Sequence, residues 1–182
     1  MNRLKKASLN DVINLVMFQI VWFVTVIGAA QGNLWHGVVA LTSFVIIHRF
    51  SSASFKTDFQ LVGLAIVVGM IIETAIIRSG VMNYAHGIYS EQFAPVWILI
   101  LWANLALTLN GCLRWLQGRY LLAATLGALG GPLSYFGGIK LGAATSDTSM
   151  TIVLGIIAVI YAAMTPLLLL VAKRLSSNAK LS

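Results

Sequence analysis

The chain has 182 residues, 59% of them hydrophobic and only 9% charged, with a net charge of +7. A soluble domain carries about 25% charged residues, so this composition excludes an ordinary water-soluble globule. The length allows one domain, residues 1–182, and the solvent that fits is bilayer hydrocarbon, which takes about 20 apolar residues per helical crossing.

Six apolar stretches follow, at about 12–30, 34–48, 59–78, 94–113, 120–140 and 151–172. The first is preceded by Arg3, Lys5 and Lys6 and followed by Gly28-Ala29-Ala30, a signal-peptide-like pattern. Its run from Val12 is long enough to span, so a retained helix is the simpler reading. Gln31-Gly32-Asn33 reads as a tight turn and Ser51 to Ser54 as a polar connector. The longest loop is expected over about 79–93, and Thr145 to Ser149 could cap the sixth helix. The predicted fold is all-α: an integral membrane bundle of six transmembrane helices with a kinked, glycine-rich fifth helix.

Lys and Arg fall unevenly if the spans alternate. Arg3, Lys5, Lys6, Arg49, Lys56, Arg114, Arg119, Lys173, Arg174 and Lys180 share one side, and only Arg78 and Lys140 lie on the other. This is the positive-inside pattern with both termini cytoplasmic. It explains the positive charge better than nucleic acid does, and no nucleic-acid partner is expected. The single Cys112 allows neither an intrachain disulfide nor a cysteine-based metal site. His36, His48 and His86 are scattered, so no metal site is expected. Trp35, Trp97 and Tyr89 fit an outer aromatic belt, and Lys140 is expected to snorkel outward.

Glu73 stands inside the third span, where an ionised carboxylate costs several kcal/mol unless paired or hydrated. It is a functional candidate, or else a hydrogen-bonded group holding helices together. At 1.5 Å per residue it lies about 10 Å below the outer edge. Trp102 and Asn104 on the fourth span reach roughly 11–14 Å deep, and Pro132, Ser134 and Tyr135 on the fifth roughly 8–12 Å. These six residues are the candidate ligand-binding cluster. Gln19 and Trp22 in the first span, and Asn110 and Arg114 near the cytoplasmic end of the fourth, are secondary candidates. No catalytic residue and no cofactor are expected.

The fifth span carries a small-residue stripe that includes Gly127, Gly131, Ser134 and Gly138. Such a stripe lets another backbone approach closely, either within the chain or in a membrane-protein partner or homo-oligomer. Pro132 removes a backbone donor, so a kink is expected near Ala128 to Gly131.

Several blocks carry a resemblance: Phe18-Gln19 with Trp22, the acidic Glu73, Ala94-Pro95-Val96-Trp97, Leu101-Trp102-Ala103 and Thr108-Leu109-Asn110. Leu113-Arg114-Trp115-Leu116 and the run from Gly127 through Gly130-Gly131-Pro132-Leu133-Ser134-Tyr135 to Gly138 and Gly142 complete it. Over nearly its whole length the chain resembles a family of small bacterial inner-membrane proteins known only as a domain of unknown function. Members often have aspartate where this chain has Glu73. The resemblance implies a six-helix inner-membrane protein and supplies no reaction. Members of the family this chain resembles are often encoded near fatty-acyl-modifying enzymes, which tilts the expectation toward membrane lipids. Three functions compete: a lipid or apolar-ligand role supporting lipid modification, a small-solute or proton-coupled transporter using Glu73, and a structural subunit of a membrane complex. Catalysis by this chain alone is the weakest reading, because nucleophile–base pairs are lacking.

Overall fold

A computed structural model describes residues 2–52, 55–85 and 92–178, with the side chains of 2–8 left out. The expectations for the side chains of Arg3, Lys5 and Lys6, and for His86, Tyr89 and Lys180, fall outside the described residues. Among the described residues the chain forms α1 (Asn2–Ala30), α2 (Leu34–Ser51), α3 (Phe55–Arg78), α4 (Val96–Ala106), α5 (Tyr120–Lys140) and α6 (Met150–Asn178). A 3₁₀ turn at Arg114–Leu116 and a two-stranded ladder, β1 (Asn83–Tyr84) with β2 (Ala144–Thr145), complete the fold.

The protein is all-α apart from that ladder. Four stretches are long and apolar enough to cross a membrane: Leu9–Ala30, Leu34–Ser51, Phe55–Arg78 and Met150–Asn178. α5, at 21 residues with Pro132 inside, is comparable to them in length but is not among those four. It runs unbroken from Tyr120 to Lys140 with Pro132 inside. Large apolar side chains cover the outside: Leu133 is 70% exposed, Val159 72% and Ile71 65%. A continuous apolar exterior of this kind is stable against acyl chains and not against water.

Chain direction gives the bundle two ends. Ala30, at the end of α1, approaches Gly142 beside the ladder, and Gly142 makes the turn with φ +85. The other end holds the start of α1 and the end of α6; these are called the ladder end and the termini end. α1 packs chiefly on α2 and α4, α3 on α4, and α5 on α6. Asn33 caps α2 through its side chain, which accepts from the Trp35 amide at 3.0 Å. Ser146 ties the two connections at the ladder end together, donating to the Val81 carbonyl at 2.6 Å.

The fourth segment departs most from expectation. A continuous helix over about 94–113 gives way to an 11-residue α4 that stops at Ala106. Beyond it the backbone turns through Leu107–Leu113. Polar side chains take over the backbone's hydrogen bonds there, which is the local competition that ends helices. Asn14 Nδ2 donates to the Leu107 carbonyl at 3.1 Å, and Asn14 Oδ1 accepts from the Cys112 amide at 3.1 Å. Gln117 Nε2 donates to the Leu109 carbonyl at 3.0 Å. Gly111 is required for this approach, because a Cβ there would stand 2.5 Å from Asn14 Oδ1.

Candidate functional site

Glu73 is fully buried on α3 and holds three donors from three other segments. Its Oε1 accepts from Trp102 Nε1 on α4 at 2.8 Å and from the Tyr135 hydroxyl on α5 at 2.5 Å. Its Oε2 accepts from the Tyr84 hydroxyl on β1 at 2.5 Å. The local sequence makes room for this. Gly69 lies one turn before Glu73, and a Cβ there would overlap the Trp102 indole. Tyr84 is aimed by the ladder and by Trp97, which stacks edge-on against it at 5.6 Å and donates to the Ala85 carbonyl at 3.0 Å. Burial first, and then the neighbouring Glu73, push the Tyr84 phenol well above the usual tyrosine range, so it stays protonated and donates.

In front of this cluster lies a cavity of about 350 Å³. Trp102, Tyr135 and Tyr84 form part of its wall, while Glu73 sits behind them and does not line it. α1 contributes Phe18, Gln19 and Trp22, and α5 contributes Gly127, Gly130, Gly131, Ser134 and Gly138. Leu113 and Leu116 close the termini end, and Met82 and Ala144 the ladder end. Gln19, Leu126 and Gly130 line the cavity and are also exposed, so its mouth opens sideways between α1 and α5.

Of the six residues expected to cluster, Glu73, Trp102 and Tyr135 meet, and Ser134 joins them at the cavity. Asn104 does not. It is fully buried, donates to the Phe18 carbonyl at 3.0 Å and leaves Oδ1 without a partner among the described residues, so it pins α4 to α1. Pro132 is half-buried and not part of the wall. Among the secondary candidates, Gln19 and Trp22 line the cavity and Arg114 is exposed. Of the expected belt residues, Trp35 is 73% exposed at the start of α2, whereas Trp97 packs in the core and is no belt residue. The small-residue stripe is filled from within the chain at two positions. A Cβ on Gly131 would meet the Tyr161 ring and one on Gly127 would meet Thr165, both on α6. Those two glycines therefore face α6, not the backbone of another protein.

A second buried polar cluster lies at the termini end. Asp58 Oδ2 accepts from Ser52 at 2.6 Å and pairs with His48 Nε2 at 2.8 Å, and its Oδ1 accepts from Asn110 Nδ2 at 2.8 Å. Asn110 Oδ1 in turn accepts from Gln117 at 2.8 Å and Ser176 at 3.2 Å. Asn14 Nδ2 reaches His48 Nδ1 at 3.4 Å. Because the Cys112 amide fixes Asn14 Oδ1, the Asn14 amino group must face His48. His48 Nδ1 is then the acceptor and Nε2 carries the hydrogen donated to Asp58. Asn110, a secondary candidate from the sequence, belongs to this cluster, and Asn14, a polar side chain within an apolar run, is a further sequence signal of it.

The family described as protein of unknown function (DUF2878) matches residues 11–167. The chain belongs to this family. Comparison with curated proteins and with solved structures finds no match. The match spans every helix that builds the cavity of this DUF2878 protein, from Phe18 on α1 to Thr165 on α6. It also spans both buried polar clusters except Ser176. The whole cavity lining thus lies within the matched region.

Proposed function

We propose that this DUF2878 protein is a multi-pass inner-membrane protein that holds a lipid or other apolar ligand in the cavity between α1 and α5. The observation that carries the reading is the cavity itself: about 350 Å³, walled by apolar and aromatic side chains and opening sideways. Ligand sites are concave, mostly apolar and supplied with a few fixed polar groups, at volumes of about 300–1,000 Å³. Glu73 serves the wall by holding Trp102, Tyr135 and Tyr84 in place. Its occupied oxygens argue against a freely loading proton carrier.

In this reading six segments cross, α4 as a half-length helix completed by the buried turn at Leu107–Leu113. Both termini are cytoplasmic, with Arg49, Lys56, Arg114, Arg119, Lys173 and Arg174 on that side. Irregular backbone is tolerated at membrane depth only where protein buries and satisfies it, as Asn14 and Gln117 do. The ligand role is one of support for enzymes that modify membrane lipids, with lipids as the partners.

The test is native mass spectrometry of the purified full chain, released from lipid nanodiscs, with the Gly130→Leu variant alongside. A Cβ on Gly130 meets nothing within 4 Å, so a leucine fills the cavity without breaking packing. A lipid retained by the wild type and lost from the variant is the expected result. A wild type that emerges bare, or a variant that keeps its lipid, refutes the reading.

A further inference from the structure

The cavity's free polar groups specify what kind of ligand it takes. Among the described residues its lining contains no Asp, Glu, Lys, Arg or His. A charged group seated there would lack a counter-ion, so the part of the ligand inside is neutral. The Trp102, Tyr135 and Tyr84 donors are engaged by Glu73, and the Trp97 donor by Ala85. Gln19 and Trp22 on α1, Ser134 on α5 and Thr165 on α6 differ: all four line the cavity, and none makes a side-chain hydrogen bond among the described residues; on α1 and α5 the two non-aromatic ones are Gln19 and Ser134.

These two stand at one level. A Cβ on Gly137 would lie 3.0 Å from the Trp22 ring, which registers α5 against α1. Both helices run from the termini end to the ladder end. Gln19 lies three residues before Trp22, and Ser134 three before Gly137. Each step is about 4.5 Å back along its helix and stays on the same face. The register therefore places Gln19 and Ser134, both of which line the cavity, at about the same level, just below the Trp22–Gly137 contact.

That level is deep. Gln19 lies eleven residues before the end of α1 at Ala30, about 16 Å along the axis, which is the middle of a hydrocarbon core about 30 Å thick. An exposed amide there costs several kcal/mol without a partner. The cavity also continues past the pair in both directions, to Leu113 and Leu116 on one side and to Met82 and Ala144 on the other.

Building on the apolar-ligand reading, we propose that Gln19 and Ser134 form a subsite for a neutral oxygen group carried part-way along an apolar chain. A hydroxyl, ether or carbonyl oxygen at mid-chain fits it. An acyl chain with polarity only at its head would leave both side chains unpartnered, and a charged headgroup would meet no counter-charge.

The test is competition on the full chain in detergent. Methyl 9,10-dibromooctadecanoate quenches the cavity tryptophans Trp22, Trp97 and Trp102. It is then displaced by methyl 12-hydroxyoctadecanoate or by methyl octadecanoate, which differ only at mid-chain. Two hydrogen bonds should favour the hydroxylated ester by about tenfold. In Ser134→Ala, in Gln19→Met and in the double variant the preference should shrink toward equality, with quenching retained as proof of an intact cavity. Equal displacement by the two esters in the wild type, or an undiminished preference in the double variant, overturns the subsite while leaving the cavity reading standing. Absence of quenching in the wild type overturns both.

Discussion

Glu73 is the keystone of the cavity wall, and its worth can be measured. Tyr135→Phe removes one hydroxyl from Glu73 Oε1 and leaves the ring, the cavity lining and the other two donors in place. A lost hydrogen bond to a buried carboxyl costs about 1–3 kcal/mol in soluble proteins, and about 0.6 kcal/mol on average between transmembrane helices. Because Glu73 is fully buried, an intermediate loss of about 1–2 kcal/mol is expected. Glu73→Leu is more severe, since it strands Trp102 Nε1 and two tyrosine hydroxyls together; about 3 kcal/mol or more is expected. The assay is reversible unfolding in mixed micelles, run as a double-mutant cycle on Glu73→Gln and Tyr135→Phe. A coupling of about 1 kcal/mol is expected. Losses under about 0.3 kcal/mol with no coupling would refute the claim that this carboxyl organises the wall.

Gly131→Leu drives a side chain into Tyr161 and should cost about 1–3 kcal/mol by overpacking, whereas Gly130→Leu should leave the melting temperature unchanged; thermal unfolding in detergent compares them. Asn14→Leu orphans the Leu107 carbonyl and the Cys112 amide, so about 2–4 kcal/mol should be lost and hydrogen exchange across residues 107–112 should accelerate. Asn104→Leu should be far milder, at about 1 kcal/mol or less, because it gives up one bond and removes an oxygen that has no partner among the described residues; the same exchange measurement separates the two asparagines. With Cys112 replaced by alanine, Lys140→Cys in intact cells should react with an impermeant thiol reagent and Arg119→Cys should not; the reverse pattern inverts the topology.

Depth along a helix was legible in the sequence, and direction around it was not. Counting rises placed Glu73, Trp102 and Tyr135 in one layer, and they do touch. Asn104 shares that layer but turns to Phe18, because two residues along a helix change its facing by over half a turn. Tyr84 could not be found by depth at all. It reaches Glu73 from a connection, aimed by two residues of ladder that carry no periodic signature. The stop of α4 at Ala106 was hidden for a related reason. The stretch through Leu113 is apolar enough to read as helix, and what ends it is a competing side chain, Asn14, more than ninety positions away. The glycines of α5 announced close packing correctly, but only the fold assigns Gly127 and Gly131 to α6.

The early stop of α4 bears on how the chain is made. In the folded chain the carbonyl at Leu107 and the amide at Cys112 are served by a side chain of α1, so at membrane depth this turn is satisfied only once α1 is in place. This part of the protein would then take its final shape by docking onto what was synthesised before it.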